Sequence, residues 1–339
     1  MPRLWAFVAL VCCSAVGIRG HSTEYRRLLS SIHEAQSKLG VENILPCNRT
    51  STVGRAGKIL YVPKMEFGYV ALLKVPIAFR YCQNGMLQLL QICRGLYPLF
   101  YFVPRDLVVE RNCEKDHVMA SQEEMRQFHH NTSSHFNMPP YARVFKPPDG
   151  TNFLFLWNKF NFEWEGPPIN FFNVDQLTSI LHAARCFTER IYLRRANARS
   201  LATGETRKDA SLVDMNELPR LRSGLATGII QDDIDNNSLE LMNVALLVLM
   251  SGANLAVGVQ GGLATLSSIV GSHTLILCVK GSECPRSDSH FDFGWHPKLQ
   301  NASIALAKTP QDVIAFLRWT CRQPSTVGVS STLLQYNKR

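Results

Sequence analysis

The sequence predicts an α/β protein whose second half is built on a parallel sheet covered on both faces. Three observations predict it. From about residue 150 onward, short β-branched or aromatic runs alternate with helical patterns, which is the rhythm of parallel βαβ units. Capped helix starts stand between those runs, at Asn173 and Thr309. A glycine turn, Gln260-Gly261-Gly262, leads from one strand directly into the next helix.

Length and composition bound the rest. The 339 residues exceed one ordinary domain, so two domains are expected. A hydrophobic fraction of 46% and a charged fraction of 19% exclude disorder and imply a real core. The net charge of +9 favours anionic partners such as sugar nucleotides, acidic glycans or lipid headgroups. There is no dense Lys/Arg run and no basic-aromatic interleaving, so a nucleic-acid partner is not expected.

The N-terminus reads as an entry signal. Arg3 precedes an apolar run over residues 4–18, and Ala15-Val16-Gly17 supplies small residues of the kind signal peptidase cleaves after. As a helix that run would rise only about 22 Å, short of a hydrocarbon core of roughly 30 Å. A cleaved signal peptide over residues 1–20 is therefore favoured over a short signal-anchor, the one reading that would tether the chain to a membrane. Either places the body of the chain in the lumen of the secretory pathway, ER or Golgi, or outside the cell. The apolar stretch at 239–250 is too short to span.

Cysteines agree with that compartment. Setting aside Cys12 and Cys13 in the apolar run leaves Cys47, Cys82, Cys93, Cys113, Cys186, Cys278, Cys284 and Cys321. An even set in an oxidising lumen permits disulfides, although pairing is not readable and several could equally be buried thiols. No Cys-x-x-Cys occurs, which argues against zinc ribbons and thioredoxin chemistry. Acceptor sequons for N-glycosylation stand at Asn48, Asn131, Asn236 and Asn301.

Residues 21–113 read as an N-terminal α/β domain. It has an amphipathic helix over 22–40, a strand at 58–62, a loop carrying Glu66 and Gly68, and a second strand-like run at 99–103. Residues 114–150 are polar and rich in His, Asn, Ser and Pro, and read as a linker or long surface loop. Residues 151–325 form the second domain, and 326–339 a tail. Its strands are expected at 152–157, 190–193, 254–259, 274–279 and 303–307. Its helices are expected after Asn173, where Gln176 completes a capping box and Phe172 and Leu177 a staple, over 239–250 and 263–270, and after Thr309.

In a parallel sheet, ligands bind beyond the carboxyl ends of strands. Gln260, Gly261 and Gly262 sit at such an end, where glycine lets the backbone approach an anion and helix amides favour phosphate. On its own a two-glycine turn is better explained as structural, and the turn is neither G-x-G-x-x-G nor a Walker loop. Arg194 and Arg195 end another strand and so sit at the sheet's carboxyl edge, where a guanidinium suits phosphate. The run 158–170, with Asn158, Lys159 and Glu163, is too aromatic and proline-rich for an idle loop. It either packs between domains or lines a cleft. His129, His130 and His135 read as loop residues, and Asp232, Asp233 and Asp235 as a solvated turn rather than a metal site. His290 and His296 have no assigned role.

The run from Asn158 to Leu177, with Asn-Lys-Phe-Asn-x-Glu-Trp and then Pro-Pro-Ile-Asn-Phe-Phe, resembles a family of glycosyltransferases found mainly in microbes. Further similar blocks are Ile191-Tyr192-Leu193-Arg194, a helix bearing Asn243, Val257-Gly258-Val259-Gln260-Gly261-Gly262 with Ser267-Ser268, and a segment ending Lys280-Gly281-Ser282-Glu283. Together they cover about residues 150–320. The resemblance implies two Rossmann-like domains with a cleft between them, the GT-B architecture, and a nucleotide-sugar donor held by the C-terminal one. It implies transfer of a hexose or fucose to a glycan or glycoprotein without a cofactor or bound metal, since helix dipole and basic side chains stabilise the departing diphosphate. Arg194, Arg195, Gln260, Gly261 and Gly262 then contact donor phosphates. Asn158, Lys159, Asn243 and Glu283 line the donor cleft, and Glu66 or, second, Glu163 supplies the base for the acceptor hydroxyl. Two departures stand out: Ile269-Val270-Gly271-Ser272 replaces the family's aromatic-Gly-Gly, and a Gln expected soon after Asn243 is absent. A secretory carbohydrate-binding or interaction protein that keeps the fold without turnover is thus the alternative.

Overall fold

The structure is a computed structural model. It describes residues 23–39, 47, 57–63, 68, 70–113, 138–147, 153–159, 169–195, 228–229, 239–270, 272–280, 284, 303–322 and 333. Among them the strands fall into two sheets in which every pairing is parallel. Antiparallel partners can be joined by a tight hairpin, whereas parallel ones need crossovers.

The N-terminal half holds helix α1 (Thr23–Lys38) and strands β1 (Lys58–Tyr61), β2 (Leu87–Cys93) and β3 (Val108–Arg111), ordered β1-β2-β3. Ile32 and Ala35 bury one face of α1, while Glu34 and Lys38 pair on its exposed side at 2.7 Å. Between β1 and β2 a π-helical turn, Val70–Lys74, runs into α2 (Val75–Gln83). The strand expected at 99–103 is instead a 3-10 turn, Tyr97–Phe100, followed by a bend. Pro98 removes a ladder donor, and the buried residues 99–103 pack as a turn against Tyr141 and Phe145 rather than in a ladder. The strands before and after it are β2 and β3, hidden by the polar residues Gln88, Gln91 and Glu110 that break their apolar runs without regular alternation.

The segment expected to be linker contains a short helix, α3 (Tyr141–Phe145), and Met138, Tyr141, Val144 and Phe145 are core residues. Tyr141 donates its hydroxyl to Leu99 O at 2.7 Å, and burial pushes that phenol well above its ordinary range. Aromatic rings of Tyr101, Tyr141 and Phe145 pack edge to face or tilted within about one ring width. The remainder of 114–150 lies outside the described residues.

The C-terminal half matches the expected rhythm. β4 (Leu154–Asn158), α4 (Val174–Ala184), β5 (Ile191–Arg195), β6 (Gly228–Ile229), α5 (Leu239–Gly252), β7 (Leu255–Val259), α6 (Gly262–Val270), β8 (Thr274–Leu277), β9 (Ile304–Ala307) and α7 (Pro310–Cys321) follow in order. The Asn173/Gln176 capping box forms, and a second box at Thr309 and Asp312 starts α7. β6 was not foreseen in the polar stretch before α5. Strand order is β6-β5-β4-β7-β8-β9. Counted from β4, that is 3-2-1-4-5-6, the order of doubly wound nucleotide-binding sheets.

Helix α5 is buried on every side from Met242 to Met250. It packs against α1, α3, the 3-10 turn and α6, so it forms a wall shared by both halves. Buried residues of the two halves accordingly belong to one core. At its rim, Arg105 bridges Glu110 (3.1 Å) and Glu240 (3.0 Å) and lies over the Tyr97 ring. All eight body cysteines pair, as Cys47–Cys82, Cys93–Cys113, Cys186–Cys321 and Cys278–Cys284, two bridges in each half. Among the described residues no helix is long and apolar enough to cross a membrane. Residues 1–22 lie outside them.

Candidate functional site at the strand-order reversal

In a doubly wound sheet the chain leaves the first and fourth strands in opposite lateral directions, and the crevice between those two exits admits a ligand. Here those strands are β4 and β7, hydrogen-bonded neighbours with Leu156 opposite Val257. Their carboxyl ends are Asn158-Lys159 and Gln260-Gly261-Gly262. Two of the sequence-predicted cleft residues, Asn158 and Lys159, therefore meet the glycine turn at one place.

Gly261 has φ +134°, a conformation that L side chains rarely adopt. A Cβ on it would also stand 2.9 Å from the Lys159 ammonium nitrogen, so the backbone lies open towards that cation. Gly262 is the first residue of α6, whose first turn carries no acidic side chain. Main-chain N–H groups in a first helical turn have no acceptor within their own helix and carry the positive end of its dipole. Lys159 Nζ donates to Gln260 Oε1 at 3.3 Å, which sets the ammonium beside the glycine turn.

The loop that returns from β4 to α4 is fixed by two buried asparagines. Asn158 exchanges hydrogen bonds with the backbone of Phe172, donating through Nδ2 to its carbonyl at 2.8 Å and accepting from its amide at 2.9 Å. Asn158 is thus a brace for the loop. Asn170 donates to Gln260 Oε1 (3.1 Å) and Lys280 O (2.6 Å) and accepts from Val279 N (2.8 Å) and Lys280 N (3.4 Å). The turn it grips, which leaves β8, is closed covalently by Cys278–Cys284. Across from it, Gly68 lies against the start of α6: a Cβ there would be 3.4 Å from Thr265 Oγ1 and 3.6 Å from Gly262 Cα. Gly68 follows Glu66 by two residues, and the π-helical turn after it packs on α6.

The other expected site residues are not all placed as predicted. Arg194 and Arg195 are the last residues of β5, opposite Trp157 and Asn158, at the sheet's carboxyl edge as expected, although the strand extends two residues further than 190–193. Arg194 is buried, with Nη2 3.4 Å from Met242 Sδ on α5. Asn243 is not at the crevice. Its Nδ2 donates to Gly95 O at 2.8 Å and joins α5 to the N-terminal half, while its buried Oδ1 has no hydrogen-bond partner among the described residues. The Arg195 side chain, Glu66, Glu163 and Glu283 lie outside the described residues. So do the sequons at Asn48, Asn131, Asn236 and Asn301, the histidines 129, 130, 135, 290 and 296, and the aspartates 232, 233 and 235. Among the described residues no cluster of His, Cys, Asp and Glu has metal-site geometry.

Sequence reasoning missed Asn170 as part of the site, although a polar residue inside a proline-aromatic run, three residues before a helix cap, was its signal. It also missed Trp157, whose indole crosses Gly258 and donates to Val259 O at 3.0 Å. No protein-family model matches the chain, and no curated protein matches it.

Proposed function

We propose that the chain is a glycosyltransferase of the secretory pathway. It moves a sugar from a nucleotide-sugar donor to a glycan or glycoprotein acceptor, with the donor diphosphate in the β4/β7 crevice. The observation that supports this reading is the meeting of Lys159, Gly261 and the first turn of α6 at the reversal of a 3-2-1-4-5-6 sheet. In such a transfer the bond between the anomeric carbon and the donor phosphate oxygen breaks, and negative charge grows on the leaving diphosphate. Amide N–H groups of the α6 first turn and the Lys159 ammonium supply the opposing potential where that charge develops. The acceptor oxygen forms the new bond, and its proton passes to a carboxylate. Glu66 is the proposed base, with Glu163 second.

On this reading Arg194 and Arg195 belong to the donor side of the same sheet edge. The three-stranded half supplies the acceptor side of a two-lobed GT-B arrangement. A second reading, a secretory carbohydrate-binding protein without turnover, is favoured by Arg194 Nη2 turning to Met242 and by Asn243 holding Gly95.

Incubation with GDP-, UDP- and CMP-sugars and a mixed glycan acceptor pool separates the two. Acceptor-dependent release of nucleotide is the expected result. Nucleotide binding without release supports the second reading, and the absence of both contradicts the donor site.

A further inference from the structure

We propose that the N-terminal sheet is an association surface for a second copy of this chain. The copy adds antiparallel along the free edge of β1, with Ile59 of each copy opposite Tyr61 of the other. The inference does not rest on the donor-site reading.

Main-chain bonding decides which groups that edge presents. Lys58 N donates to Met86 O at 2.7 Å and Val62 N to Gln91 O at 2.8 Å, so residues 58, 60 and 62 turn towards β2. The residues between them point the other way. Ile59 and Tyr61 therefore aim N–H and C=O away from β2, on the side where β1 has no strand neighbour among the described residues. Such an edge is a template for another strand unless charge, proline or a bulge guards it. The irregularity in this pairing, the extra residue Gln88, lies on β2. The outer strand on the far side, β3, is guarded by consecutive Glu110 and Arg111, and Arg105 holds Glu110. β1 carries one charge, Lys58, at its start.

The side chains agree. Paired residues share a face of the sheet, so Ile59 with Leu89, and Tyr61 with Gln91 and Val109, form one side. On the other side Leu90 and Ile92 are buried in the core. Four large apolar side chains are exposed among the described residues, and three stand on this open side: Ile59 at 61%, Tyr61 at 44% and Val109 at 40%. A parallel sheet is ordinarily covered on both faces, and this one is left open on one.

A second copy fits because the edge is its own complement. With a two-fold axis at Leu60, Ile59 of one copy stands opposite Tyr61 of the other, and these are the outward-bonding residues. Each such pair exchanges both its main-chain bonds, and its side chains meet on the open face as an aromatic and β-branched cross-strand pair. Lys58 falls opposite Val62 of the other copy, which sets the two lysines about 14 Å apart, beyond a Debye length in physiological salt. A strand pair this short is smaller than the roughly 800 Å² per partner of a stable interface, so the expected dimer is weak, with Kd on the order of 10 µM.

Sedimentation velocity of the full chain from about 1 to about 500 µM tests this. Wild type is expected to pass from monomer to dimer within that range. Ile59→Lys combined with Tyr61→Lys sets like charges opposite each other and should weaken the dimer at least about tenfold. Ile59→Lys combined with Tyr61→Glu sets each new lysine opposite the other copy's new glutamate, so dimerisation should return, and should then fall as salt is raised. Circular dichroism and melting temperature check that the variants fold. If either double variant does not, Ile59→Thr, which keeps a β-branched side chain, is read instead and should weaken the dimer about fivefold. A wild type that stays monomeric over the whole range leaves the edge to a strand of another protein and overturns the proposal. An undiminished dimer in the doubly basic variant or in Ile59→Thr overturns it too, and so does a lack of recovery in the variant of opposite charges.

Discussion

Trp157 lies so close over Gly258 that a Cβ on the glycine would stand 2.0 Å from the indole Cε2. The two residues sit on β4 and β7, the pair whose exits frame the crevice, and the indole Nε1 closes the contact on Val259 O. A side chain at Gly258 would have to displace a fully buried tryptophan.

Gly258→Ala is therefore expected to destabilise by about 3 kcal/mol, the upper range for overpacking a core. Gly68→Ala is the comparison, since its Cβ would meet nothing closer than 3.4 Å. Its change in stability should stay under about 0.5 kcal/mol. Urea denaturation of both variants checks the contrast.

Asn243 should prove a joint between the two halves. Asn243→Ala removes the bond to Gly95 O and is expected to cost about 1–2 kcal/mol. Asn243→Asp should cost more, because it sets a buried carboxylate against that carbonyl. Melting temperatures give the order wild type, then Ala, then Asp; equal values for Ala and Asp would contradict the bond as described.

The bridge between Cys186 and Cys321 joins the end of α4 to the end of α7 across 135 residues. A loop of that length makes a cross-link worth about 5 kcal/mol through the unfolded state. Cys186→Ser with Cys321→Ser should lower stability by a few kcal/mol, and peptide mapping under non-reducing conditions should recover the pair in wild type.

His273 supplies a pH dependence. Burial lowers its pKa below the ordinary value near 6.5, and its Nδ1 is buried without a hydrogen-bond partner among the described residues. Between the folded value and 6.5 the unfolded chain binds more protons, so stability rises with pH there. The contribution is fully present above the unfolded value and is lost as pH falls through the folded one. His273→Leu should flatten this part of the stability profile below neutrality; an unchanged slope would assign it to other groups.

The C-terminal sheet was legible because its strands are buried on both faces and read as continuous apolar runs, with caps at Asn173 and Thr309 marking helix starts. Its strand order was not legible, because no local signal records which strands become neighbours. The N-terminal half was harder. The apolar run at 99–103 imitates a strand as buried as those of the C-terminal sheet, but it continues a 3-10 turn begun at Tyr97-Pro98 and packs against Tyr141 of α3 instead of pairing. Tyr141 and Phe145 were hidden inside a polar stretch by the two prolines before them. At the site, Gln260-Gly261-Gly262 and Lys159 were readable from type and position. Their meeting was not, since it depends on β4 and β7 pairing across about a hundred residues. Asn243 was read as a ligand contact, yet its amide is turned to a main-chain carbonyl, a choice that sequence does not encode locally.

Calorimetric titration of GDP and UDP into wild type and Lys159→Met asks whether the β4/β7 crevice holds a nucleotide diphosphate. Wild type should bind at least one nucleotide saturably. Binding should weaken about tenfold once the ammonium beside Gly261 is gone, with the melting temperature of the free protein nearly unchanged. Absence of binding by wild type, or equal affinity in the two proteins, would contradict a donor site there.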